Sequence, residues 1–178
     1  MMRALGPGSV SSLLKIILDV VFVALWIGVG GTLALLAIGT LLLSFNPELF
    51  SQISVTAGGA EVNGRGPFMV VGLLAVGLYM AGILVIVDRL RRIFSTLTAG
   101  DPFHPDNVTR LRVVGLMLAM LEIGRYAVWT AGAWLFPGAN EVEPDFSLTA
   151  WFSVLVVFVL AEVFREGARL RREAELTI

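Results

Sequence analysis

Cysteine is absent from the 178 residues, which excludes disulfides, cysteine-type zinc sites, thiol nucleophiles and iron-sulfur clusters together. Histidine occurs once, at His104. A single imidazole cannot supply bis-histidine haem ligation, and a histidine-based zinc site is not expected around it. Charge is scarce as well: 15% of residues are Asp, Glu, Lys or Arg, against roughly a quarter in a soluble domain. No Ser/His/Asp set, phosphate-cradling glycine loop or paired catalytic carboxylates appears. The chain therefore offers no nucleophile or base for an enzyme reading, and neither an enzymatic activity nor a cofactor is expected.

What the chain has instead is apolar length. Hydrophobic residues make up 57% of it, the mean hydropathy is +0.86, and the polar residues are bunched into short stretches between long apolar runs. A water-soluble fold of this size needs polar surface to cover its core. Here lipid must replace water as the main solvent.

A spanning helix needs about 20 apolar residues to cross roughly 30 Å of hydrocarbon. Runs of that kind lie at about 13–44, 67–87, 113–136 and 148–164. An unpaired backbone amide in hydrocarbon costs several kcal/mol, and the runs lack the alternation of barrel strands, so helices are required. The first run is far longer than the roughly 7 to 15 residues of a signal-peptide core and is read as a retained span. The expected fold class is an all-α integral membrane protein, a single domain over 1–178 with four transmembrane helices.

Net charge of -1 conceals a segregation that orients the chain. Arg3 and Lys15 precede the first run, Arg89, Arg91, Arg92, Arg110 and Arg112 surround the middle loop, and Arg165, Arg169, Arg171 and Arg172 follow the fourth. The opposite loops hold Glu48, Glu61, Glu141, Glu143 and Asp145, with Arg65 as the one basic residue. Basic residues stay preferentially on the cytoplasmic side when loops are short, so both termini and the middle loop are expected to be cytoplasmic. Trp129, Trp134 and Trp151 would anchor the outer interface.

In the first outer loop, 45–66, the β-branched segments 53–56 and 60–62 flank Gly58 and Gly59. That pattern fits a small β-hairpin or an irregular loop. The inner segment 88–112 reads as a helix continuing to about Thr98, a stop at Gly100, a break at Asp101 and Pro102, and a new start at Pro105 and Asp106. This is a tight elbow between two helices, with no implication of direct nucleic-acid binding. The tail 165–178 keeps helical charge spacing to about Ala174.

Glu122 and Arg125 stand inside the third run at i, i+3 spacing, on one helix face, roughly 14 and 18 Å from its cytoplasmic start. Intramembrane charges cost at least about 2.5 kcal/mol each on insertion scales. They are read either as an ion, proton or polar-ligand site or as a buried pair fixing helix register. Asp19, Asp88 and Glu162, near the cytoplasmic ends of their runs, are expected to form ion pairs with nearby Lys15, Arg89, Arg92 or Arg165. Gly28 to Thr32 and Gly77 to Ala81 have small-xxx-small spacing, which suits packing within the chain or a homo-oligomer.

The elbow and the tail also carry motifs. Gly100, Pro102, Phe103, Asn107, Leu111 and Arg112 form the pattern G-x-P-F-x-x-x-N-x-x-x-L-R, and Glu173, Glu175, Leu176, Thr177 and Ile178 form E-x-[DE]-L-T-[IV]. In both segments the chain resembles a bacterial domain-of-unknown-function family of small four-span inner-membrane proteins. The resemblance implies a bacterial cytoplasmic-membrane location. It also implies a small helix-turn-helix transcription regulator as partner, because such regulators are often encoded beside members of that family. The motif residues would then form the face that the partner touches. Three functions follow as expectations: a regulatory or scaffolding protein holding that regulator at the membrane, a small transporter or channel using Glu122 and Arg125, or an accessory subunit of a membrane complex.

Overall fold

The computed structural model describes residues 10–45, 48, 54–57, 60–63, 66–135 and 146–176. Arg3, Arg65, Glu141, Glu143 and Asp145, the glycines 58 and 59, and the terminal motif residues Thr177 and Ile178 lie outside the described residues.

Along the chain run α1 (Val10–Phe45), β1 (Ser54–Ala57), β2 (Ala60–Asn63), α2 (Gly66–Thr98), α3 (Pro105–Leu135) and α4 (Leu148–Glu175). Among the described residues, three helices are long and apolar enough to cross a membrane, over Leu13–Phe45, Val70–Thr98 and Leu148–Glu175. The remaining helix, α3, carries Asp106, Arg110, Arg112, Glu122 and Arg125, which lower its hydropathy. Large hydrophobic side chains along the helices are widely exposed, Ile27, Leu78, Phe152 and Val159 among them. In water such faces would drive aggregation, and lipid is the solvent that suits them.

The chain divides into two compact units. One comprises Trp26–Ala81 and Ile123–Phe146. There α1 and α2 run antiparallel with small residues at the contact: a Cβ on Gly28 would lie 3.1 Å from Met80 Sδ, and one on Gly77 would lie 3.7 Å from Thr32 Oγ1. The two small-xxx-small segments thus meet within one chain, where close van der Waals approach replaces hydrophobic drive. Thr32 donates its hydroxyl back to the carbonyls of Gly28 and Val29, at 3.0 and 2.9 Å, which satisfies a polar group in an apolar setting. β1 and β2 pair antiparallel, with Val55 opposite Val62 and Thr56 opposite Glu61.

The other unit comprises Met1–Leu25, Gly82–Glu122 and Ser147–Ile178. Its core joins Ile93, Leu111 and Ala161, with Leu90, Leu97, Val157 and Phe164 packed against them. Gly115 lets α3 approach α4, since a Cβ there would meet Phe158 Cε2 at 3.1 Å. Arg91 on α2 reaches Asp19 on α1 at 2.5 Å, and its guanidinium lies 4.1 Å from the Phe22 ring centroid. The ion-pair expectation for Asp19 is met by Arg91, a residue outside the set named from sequence. Asp88 pairs with Arg92 at 2.9 Å, and Glu162 pairs with Arg165.

Candidate functional site

The residues of the elbow motif divide between holding the fold and facing outward. α2 ends in a paired closure: the Gly100 N–H donates to Leu97 O at 3.1 Å and the Asp101 N–H to Thr96 O at 3.0 Å. These two bonds form the Schellman pattern, which needs a left-handed residue. Gly100 supplies it at φ 83, a conformation that any side chain would strain.

Five residues later α3 begins with Pro105, whose missing N–H costs nothing in a first turn. Asp106 is a start signal in the sequence, but its carboxylate does not cap this end. His104 takes the role instead: its carbonyl accepts the Asn107 N–H at 2.9 Å and its ring Nδ1 accepts the Asp106 N–H at 3.2 Å. The Asp106 carboxylate is turned to Arg110 at 3.5 Å.

Asn107 has 0% exposure. Its amide donates to Thr96 Oγ1 at 2.7 Å and to the Pro102 carbonyl at 3.2 Å, and its oxygen accepts from Arg110 Nη1 at 3.0 Å. Arg110 Nη1 also donates to the Arg92 carbonyl at 3.1 Å. One side chain thereby ties the end of α2, the elbow and the first turn of α3. Leu111 is buried in the core with Ile93 and Ala161. Of the motif positions read as a partner face, Asn107 and Leu111 are therefore committed to the interior.

Phe103 joins the elbow to the far end of α4. Its ring lies 5.8 Å from that of Phe164, inclined at 54°, and it sits directly on Gly167, where a Cβ would come within 2.5 Å of Phe103 Cδ1. Beside this contact Arg171 pairs with Asp101 and, at 3.0 Å, with Glu175. Beyond the apolar part of α4, the Glu175 carboxylate and then that of Asp101 hold the Arg171 guanidinium above its ordinary range. Between elbow and tail opens a cleft of about 340 Å³, lined by Phe103, His104, Pro105, Ala168, Arg172 and the Asp101, Arg171, Glu175 cluster.

Both sequence motifs reach this place. Phe103, Arg112, Glu173, Glu175 and Leu176 are exposed, Leu176 at 87%, while Glu173 faces Arg169 at 3.5 Å. Sequence reasoning missed Asp101, Ala168, Arg171 and above all Gly167. Glycine inside a charged, otherwise helix-favouring tail costs about 1 kcal/mol relative to alanine, and that cost was the available sign of a close approach.

The other predicted residues lie elsewhere. Glu122 is 8% exposed within α3. Arg125 is exposed, with its guanidinium 4.8 Å from the Tyr126 ring centroid, and Tyr126 stacks on Phe146 at 6.4 Å and 9°.

Residues 50–178 match the model of a family described as Protein of unknown function (DUF2975). No curated protein and no solved structure matches the chain.

Proposed function

Since the chain belongs to the DUF2975 family, whose function is unknown, we propose that it is a regulatory or scaffolding protein of the bacterial inner membrane whose elbow and tail hold a small cytoplasmic helix-turn-helix regulator. The observation that carries this reading is the clasp itself. Phe103 on Gly167 and Arg171 on Asp101 bring the two motif segments into one surface with an open cleft.

The same clasp supports four crossings. The C-terminal end of α4 touches the turn between α2 and α3, so the chain that leaves the elbow along α3 comes back along α4. If α4 crosses the bilayer, α3 must cross it in the opposite direction. The arginines around the elbow and tail favour the cytoplasmic side for both, giving cytoplasmic N and C termini.

One outward residue of the cleft lining and one that follows a lining residue in the chain test the partner. Arg172 and Leu176 are both exposed and neither contributes to the core. Arg172→Glu with Leu176→Asp is expected to fold normally, as read by circular dichroism in detergent, yet to capture the neighbouring regulator at least tenfold less well in a co-purification from membranes. Undiminished capture by this variant, and by a chain cut before Glu173, refutes the reading.

A second reading rests on the burial of Glu122, because a carboxylate kept inside an apolar helix is a functional candidate by default. As a transporter or channel, the protein in liposomes would pass protons, detected with an entrapped pH dye. Glu122→Gln and Arg125→Gln would each lower that flux at least tenfold. Equal flux in liposomes with and without wild-type protein removes this reading.

A further inference from the structure

We propose that the unit holding the elbow also carries a belt for anionic phospholipid, formed by Lys15, Arg89 and Arg112; this rests on the reading of α1 and α2 as membrane-crossing helices. The first observation is the balance of charge. Arg91, Arg92, Arg110 and Arg165 are each held by a carboxylate, from Asp19, Asp88, Asp106 and Glu162 respectively. Lys15, Arg89, Arg112 and Arg172 have no carboxylate partner among the described residues. Arg89 is half-buried, and its Nε–H, itself covered, has no hydrogen-bond acceptor among the described residues. Among the described residues, neutralisation is thus withheld from a particular set of cations.

Three of those four stand at one level. The Asp19–Arg91 pair sets α1 against α2, and the shared contact of Ile93, Leu111 and Ala161 sets α2, α3 and α4 against one another. Lys15 is one turn from Asp19, Arg89 two residues from Arg91 and Arg112 next to Leu111, so by the rise of a helix they lie within roughly 6 Å of that level. Arg172, eleven residues past Ala161, is roughly 16 Å away. The belt coincides with the place where the apolar stretches begin, the depth at which lipid phosphates reside.

The neighbours of these cations select lipid over a soluble anion. Lys15 stands between Leu14 and Ile16, both exposed, and Arg112 is followed one turn later by exposed Leu116. A long basic side chain bordered by uncovered aliphatic groups matches a molecule with an anionic head and a hydrocarbon tail. Inorganic phosphate would leave the aliphatic half of each position unmatched.

The test uses the full chain, delipidated in an uncharged detergent and titrated with phosphatidylglycerol or phosphatidylcholine, with retained lipid counted by native mass spectrometry. Phosphatidylglycerol is expected to be retained selectively. Each exposed cation removed should weaken its retention about fivefold, so Lys15→Gln with Arg112→Gln should lose about 25-fold. Arg172→Gln, equal in charge change but off the belt, should retain lipid as the wild type does. Arg89→Gln serves as a further variant only where circular dichroism shows a native fold. Equal retention of both lipids, a loss in Arg172→Gln matching that of the double variant, or displacement of phosphatidylglycerol by millimolar inorganic phosphate would each overturn the proposal. Whether the protein needs detergent for extraction from membranes tests the spanning reading separately.

Discussion

Replacing Asn107 with alanine is expected to destabilise the protein by about 2 to 4 kcal/mol, measured by unfolding titration in mixed micelles. Three hydrogen bonds end at this fully buried side chain, and each is worth roughly 1 kcal/mol net. The upper end of that range applies because the Pro102 carbonyl and the Thr96 hydroxyl oxygen each lose the amide N–H that meets them, whereas Arg110 keeps another acceptor at the Arg92 carbonyl. Asn107→Asp separates donor chemistry from size. Nearly isosteric with asparagine, aspartate still accepts from Arg110 but turns an oxygen toward the Pro102 carbonyl. Its destabilisation should match that of alanine. A wild-type midpoint for Asn107→Asp would show that the donated bonds do not hold the elbow.

Adding one methyl group at Gly167 is expected to cost about 1 to 3 kcal/mol, the usual range for overpacking. The Cβ of Gly167→Ala would fall inside van der Waals contact with the Phe103 ring. Phe103 is exposed on its other side and has room to swing outward, but doing so surrenders its contact with Phe164. The clash belongs to a pair, so a double-mutant cycle isolates it. In a Phe103→Ala background, Gly167→Ala should be neutral or stabilising, because alanine is the better helix former once the ring is gone. Additive behaviour of the two substitutions would mean that Phe103 does not rest on Gly167. Loss of the clasp should also lower capture of the proposed regulator, since the ring forms one wall of the cleft.

The helix ends were legible because their signals are local. Thr98 as the last helical residue of α2, Gly100 as its stop and Pro105 as the next start all follow from the backbone preferences of a few adjacent residues. The capping group of α3 was not legible, since His104 and Asp106 both offered an acceptor within one turn and only the folded geometry chose the imidazole. The clasp was half-visible. Its two motif segments were found separately, but their meeting depends on a glycine whose importance lies in a ring more than sixty residues earlier.

By itself the amino-acid sequence determined the apolar helices, the elbow and the asymmetric distribution of arginine, because hydrocarbon solvation, turn geometry and charge placement act on neighbouring residues. The tertiary structure alone decided that Asn107 and Leu111 point inward, that Arg91 is the partner of Asp19, and that the tail seals onto Phe103. Those outcomes depend on how helices slide and rotate against one another, and periodicity within a single helix leaves that register open.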